Sequence, residues 1–403
     1  MKRSFFLHDF REKDQEISSA SPDSPAFFLH RITHLLLHRT DYVMLIPAIL
    51  LLVIGVLFIY GTGQQTGGFA AVTFWKRHLH YMALGGGIFL LFSLLDYRWC
   101  GPASAVFYIF SLLLLALVPF FGVKYFGARS WLQIGSLNFQ PSELVKFSLI
   151  LLSSWLLSMR KTNVNNLLHL SGILLLMILP VVLTVLQPDL GTAITMIVPL
   201  CAVIFVAKLK WRYICIIAVS GILLGAGTYV FGMKTYQKER IKVFLDPGRD
   251  PRNRGWNQLQ AEMAVGSGGL TGKGFMNGTH NLLGYLPQKV ANSDFIFPVI
   301  AEETGFLGAG TLVILFILLL LAILRTALLA PDDFGRYLCT GIAILLFFHI
   351  YINIAMSIRL SPVTGLPLPL VSYGGTFLVT TMAYLGIVHS VYGHREKKSI
   401  FNL

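Results

Sequence analysis

Ten runs of mostly apolar residues dominate this chain, near 42–61, 79–96, 103–122, 142–158, 166–186, 190–207, 213–231, 296–324, 335–357 and 375–392. A helix needs roughly 20 such residues to cross a bilayer, and in lipid only helices and closed barrels satisfy their own backbone polar groups. With 55% hydrophobic and 13% charged residues, the 403-residue chain is too apolar for a string of soluble domains. The expected fold class is all-α: a polytopic membrane protein of ten transmembrane helices. Residues 1–41 are then a cytoplasmic N-terminal tail, 42–393 the membrane domain and 394–403 a cytoplasmic C-terminal tail. Between Phe27 and Arg39, residues Phe28, Ile32, Leu35 and Leu36 share one helical face. That suits a helix lying in the membrane interface, or a leading extension of the first span. The first forty residues hold no short apolar core with a small-residue cleavage site, so the first span is expected to serve as the insertion signal.

The net charge of +13 has to be divided by side of the membrane before it is read as affinity for a partner. Ten spans put both ends on one side. With that side cytoplasmic, the inside segments carry 17 of the 32 Lys and Arg, the short outside loops 5, and the long segment 232–294 carries 9. Short loops obey the positive-inside rule and long ones are largely exempt, so segment 232–294, between spans seven and eight, is expected outside the cytoplasm. The basic residues follow topology rather than a groove with aromatic partners, which excludes a nucleic-acid partner. Cys100, Cys201, Cys215 and Cys339 lie in spans or near their ends at no metal-ligand spacing, and read as packing residues.

Segment 232–294 gathers Gly266, Gly268, Gly269, Gly272 and Gly274 and ends on Asp294, a carboxylate at the edge of an apolar run. A carboxylate there is a candidate for chemistry. Nucleotide motifs fail on inspection: a phosphate-binding loop ending at Lys273 has Ser267 where Gly is needed and Gly274 where Ser or Thr is needed. Thr271 breaks the dinucleotide pattern, and neither HExxH nor GxSxG occurs.

Other polar residues inside spans carry more information. Pro141 fits the first turn of a helix, Glu143 follows it, and Glu143 and Lys146 share a face. An ionised group deep in a bilayer costs on the order of 2.5–3.5 kcal/mol on insertion scales. The two must therefore pair or line a wet cavity; a pair that only fixes helix packing is the plainer alternative. Arg129 and Trp131 precede them with a permanent cation and an amphipathic ring. Asp189, in QPDLGTA, reads most simply as a turn or helix-start residue. Glu302 and Glu303 cannot both face lipid and are expected to face protein. Residues 361–376, with Pro362, Pro367 and Pro369, cannot be a regular helix and read as a re-entrant outer-side segment.

In combination GARSWLQIG, QPSELVK, QPDLGTA, FLDPGRDP, AVGSGGLTGKGFMNGT, DFIFPVIAEETGFLG, NIAM and PVTGLPLPLVSYGGT carry a resemblance. The chain resembles the shape, elongation, division and sporulation family of bacterial peptidoglycan glycosyltransferases from its first span to its last. GKGFMNGT and PVTGLPLP read closer to the rod-shape, elongation branch than to the division branch. The resemblance implies ten spans in the bacterial cytoplasmic membrane and polymerisation of lipid II at its outer face. It also implies a class B penicillin-binding protein transpeptidase and other elongation-machinery membrane proteins as partners. Asp294 matches the family's essential acid and is the expected general base. Trp131, Glu143 and Lys146 match positions in or around the family's central cavity. Arg129 and Lys146, with Arg240 or Lys273, are the expected counter-charges for pyrophosphate. The reaction is compatible with a divalent cation, but no ligand cluster announces one. Departures cluster before Asp294: Gln288 replaces a Glu in a stretch two residues longer than usual, Ser293 stands for Thr, and His280 stands for Gln. A flippase for a lipid-linked precursor and a non-enzymatic scaffold are the competing classes. Flipping needs access to both leaflets, whereas the acids and cations here concentrate on the outer half.

Overall fold

The structure is a computed structural model that describes residues 40–65, 69–125, 128–135, 137–159, 165–227, 229, 235–246, 254–287 and 290–395. Residues 1–39 of the N-terminal tail with the expected helix between Phe27 and Arg39, residues 396–403 of the C-terminal tail, and Gln288 and Lys289 of the lengthened stretch lie outside those residues.

Ten helices of 17 residues or more occur among the described residues: α1 (Tyr42–Gln65), α2 (Phe69–Leu94), α3 (Cys100–Phe121), α4 (Pro141–Ser158), α5 (Leu167–Leu186), α6 (Leu190–Val206), α7 (Trp211–Gly227), α11 (Ile296–Leu329), α12 (Asp333–Ser357) and α13 (Gly375–Gly393). Six of these segments are long and apolar enough to cross a membrane, which makes this a multi-pass membrane protein. The other four fall short for local reasons. In α2 the first turns carry Lys76, Arg77, His78 and His80, α4 carries Glu143 and Lys146, and the apolar stretches of α6 and α7 do not exceed 17 residues. The polar opening of α2 is also why the helix starts ten residues before the expected span.

The helical expectation is qualified in one place. The chain is not purely α-helical: β1 (Val123–Tyr125), β2 (Ala128–Ile134) and β3 (Leu137–Phe139) form a small antiparallel sheet between α3 and α4. Trp131 pairs with Val123 and Leu132 with Phe139, and short runs of aromatic and branched residues around a glycine turn favour strands. Segment 232–294 holds helices of its own: α8 (Thr235–Leu245), α9 (Arg254–Ser267) and α10 (Thr279–Leu282) occupy much of it. Ala261 and Ala264 are fully buried on α9, and Gln258 beside them donates to the Ser361 carbonyl at 2.9 Å.

The bundle inverts the pattern of a soluble protein. α1 exposes Ile46, Ile49, Val53 and Leu57 along one side while burying Met44, Leu51 and Ile59 on another. It is apolar all round, as a helix between protein and lipid should be. α4, α12 and α13 are the most enclosed of the long helices. Between α12 and α13 residues 361–374 run irregularly, with Leu366, Leu368, Leu370 and Val371 buried. The prolines forbid a helix there, and irregular backbone is tolerable because protein surrounds it.

Candidate active site

α4 begins at Pro141, with Glu143 in its first turn. One turn on, Lys146 Nζ lies 2.8 Å from Glu143 Oε1, and the two side chains are 1% and 4% exposed. Lys146 Nζ also lies 3.2 Å from His349 Nε2 on α12. An ammonium has hydrogens only to donate, so Nε2 of His349 is the acceptor. Phe377 of α13 closes the group, its ring 5.7 Å from the Lys146 nitrogen and 4.8 Å from the imidazole. A cation over an aromatic face gains electrostatically when water is excluded.

Asp294 is half-buried and sits two residues before α11. Its main chain is held from several sides. Asn353 Nδ2, fully buried on α12, donates to the Asp294 carbonyl at 3.0 Å and to the Leu366 carbonyl at 2.8 Å. Tyr373 N donates to the Asn292 carbonyl at 2.8 Å. Ser372 Oγ donates to the Ser293 carbonyl while accepting from Leu368 N. The Asp294 carboxylate packs over Gly365, whose φ of +76° suits glycine and whose added Cβ would lie 3.3 Å from Oδ2. The irregular 361–374 segment is thus the wall against which Asp294 is set.

The remaining expected residues divide. Arg129 Nη1 donates to the Pro119 carbonyl at 2.9 Å, in the last turn of α3, where helix carbonyls lack partners and attract cations. Trp131 is half-buried on β2. Thr376, at the start of α13, ties the sheet to the bundle by accepting from Gln140 N and donating to the Asn138 carbonyl. Lys273 belongs to a second cluster, 2.6 Å from Glu302 Oε1, which also accepts from Thr279 N, Thr279 Oγ1 and His280 Nδ1. Glu302 and Glu303 are buried, and Met276 N donates to Glu303 Oε2 at 2.9 Å. The two acids organise the glycine segment around the kinked start of α11. Arg240 lies on α8, its side chain outside the described set. Among the described residues no three His, Cys, Asp or Glu side chains gather as metal ligands. Sequence reasoning passed over His349, Asn353, Ser372 and Phe377. The available signal was a His and an Asn four residues apart in an apolar span, hence on one helical face.

Residues 41–397 match the model of the cell cycle proteins FtsW, RodA and SpoVE. The chain belongs to the FtsW/RodA/SpoVE family. Within this family it is 36% identical over 362 residues to the peptidoglycan glycosyltransferase MrdB of Escherichia coli (strain K12), covering 89% of this chain and 95% of that one. It is 35% identical to a probable peptidoglycan glycosyltransferase FtsW of Geobacter sp. (strain M18), covering 87% and 96%. Among solved structures, the rod shape determining protein RodA of Thermus thermophilus superposes with a TM-score of 0.66 at 29% identity, covering 89% of this chain and 98% of that one. A chain from a peptidoglycan synthase complex that coordinates polymerization and crosslinking superposes with a TM-score of 0.75 at 31% identity, covering 89% and 99%.

Proposed function

We propose that this family member is a RodA-like peptidoglycan glycosyltransferase that polymerises lipid II into glycan strands at the outer face of the cytoplasmic membrane. The observation that carries the reading is its 36% identity across 95% of E. coli MrdB. In this reading the ten long helices are ten spans, both termini are cytoplasmic and segment 232–294 is extracytoplasmic. At ~1.5 Å per residue, even the 17-residue α6 reaches across most of a hydrocarbon core.

The chemistry needs a base, an anion site and little else. The Asp294 carboxylate takes the proton from the acceptor sugar's 4-hydroxyl. That oxygen attacks the donor's anomeric carbon as the bond to pyrophosphate breaks, and polyprenyl pyrophosphate leaves with the electron pair. Configuration inverts. A single carboxylate suffices because pyrophosphate departs without protonation, unlike the leaving alcohol in inverting hydrolysis, which needs a second acid. Lys146 offers its ammonium to the developing negative charge, with Glu143 holding it in place. Arg129, and Arg240 or Lys273, add positive charge around the site, and Trp131 contributes a ring surface at the entrance.

The synthase-complex neighbour supports a class B penicillin-binding protein as the crosslinking partner, alongside other membrane proteins of the elongation machinery. The test is to incubate the purified protein and its cognate transpeptidase with lipid II and resolve the products by size. Glycan strands support the reading. Movement of lipid II between leaflets of proteoliposomes without polymer would replace it with a flippase.

A further inference from the structure

We propose that α12 sets the two halves of the site in register, with Asn353 as a positioning residue for Asp294 and His349 as a positioning residue for Lys146. The proposal rests on the roles given above to Asp294 and Lys146.

Asn353 joins two segments far apart in the chain. Its Nδ2 carries two hydrogens, and the two acceptors at hand are the carbonyls of Asp294 and Leu366. One fixes the peptide that bears the candidate base. The other fixes the bend next to Gly365, on which that base's carboxylate rests. Leucine and aspartate match asparagine closely in size, yet neither can donate to both carbonyls. Asn353 is fully buried, so bulk water cannot take over.

His349 stands one turn earlier on the same face of α12. Glu143 Oε1 and His349 Nε2 engage two of the three Lys146 hydrogens, which leaves one for an anionic ligand. A neutral imidazole is an acceptor that steers the ammonium without cancelling its charge. Four residues of helix separate His349 from Asn353, about 6 Å along the axis, so a rigid and enclosed helix fixes the spacing between Lys146 and Asp294. Lys146 itself sits on α4 and the bend at Gly365 touches Asp294, whereas α12 bonds to both groups.

The experiment measures lipid II polymerisation by the full chain with its transpeptidase partner, recording kcat and KM for Asn353→Leu, Asn353→Asp, His349→Gln and His349→Phe. Asp294→Asn and Lys146→Met run beside them. Displacing a reacting group by about 1 Å costs on the order of 100-fold. Both Asn353 variants should therefore lose ~10- to 100-fold in kcat with KM little changed. His349→Gln, whose amide oxygen still accepts, should stay within about threefold of wild type, while His349→Phe should fall ~10-fold or more. If the leucine variant fails to fold, the isosteric aspartate variant carries the test. Wild-type rates in Asn353→Asp and His349→Phe, with Asp294→Asn and Lys146→Met inactive, overturn the positioning proposal alone. Equal losses in His349→Gln and His349→Phe overturn the part assigned to His349. Activity retained in Asp294→Asn and Lys146→Met overturns the site reading itself.

Discussion

Lys146 Nζ lies 2.8 Å from Glu143 Oε1, and neither side chain is more than 4% exposed. Burying two charges costs so much solvation that such pairs contribute little net stability, while removing one partner alone is costly. A pair kept only for packing would be exchangeable for apolar residues. Lys146→Met should reduce polymerisation by about 100-fold or more and, by stranding the Glu143 carboxylate, lower stability by about 3–5 kcal/mol. Glu143→Ala should lower stability by about 3–5 kcal/mol by leaving the ammonium uncompensated. Glu143→Leu combined with Lys146→Met should recover most of that stability but none of the activity. Thermal unfolding in detergent beside a turnover assay checks all three.

Glu302 supports the glycine segment. Its carboxylate is fully enclosed and Oε1 accepts from Lys273, Thr279 and His280. Glu302→Gln removes the charge and sets an amide among donors, which should cost on the order of 3 kcal/mol. Hydrogen exchange should then quicken at the amides of Lys273, Met276 and Thr279 and stay unchanged in α12. Unaltered exchange at those three amides would remove Glu302 from this role.

Gly305 has φ +67° and ψ −165° inside α11, and its added Cβ would lie 2.3 Å from Gly272 N. That backbone region is nearly closed to other residues. Gly305→Ala should destabilise by at least about 2 kcal/mol and unseat the glycine segment that leads to Lys273. Gly310→Ala, in the same helix with open space around its Cβ, should be neutral or stabilise by roughly 0.5–1 kcal/mol. Unfolding midpoints of the two variants should therefore move in different directions.

What could be read in the sequence was what local spacing encodes. Glu143 and Lys146 pair because three residues along a helix bring them to one face, and Pro141 marks where that helix starts. Asp189 opens α6 by accepting from Thr192 N and Thr192 Oγ1, as a short acid before an apolar run should. Contacts across the chain stayed hidden. Nothing near Lys273 announces Glu302, and nothing near Asp294 announces Asn353, because helix packing creates those partners. The sheet at 123–139 was missed because its strands are only three to seven residues long. α9 was missed because glycines and charges flank it, although Ala261 and Ala264 mark a face narrow enough to pack closely.

The most direct test of the whole account is glycan synthesis from lipid II by the wild-type protein and by Asp294→Asn, each bound to its transpeptidase partner and equally monodisperse. Loss of a positioned base typically costs about 100- to 10,000-fold. The account predicts strands from the wild type and essentially none from the variant. Equal polymer from both would contradict it, leaving the enzyme without the base assigned to it.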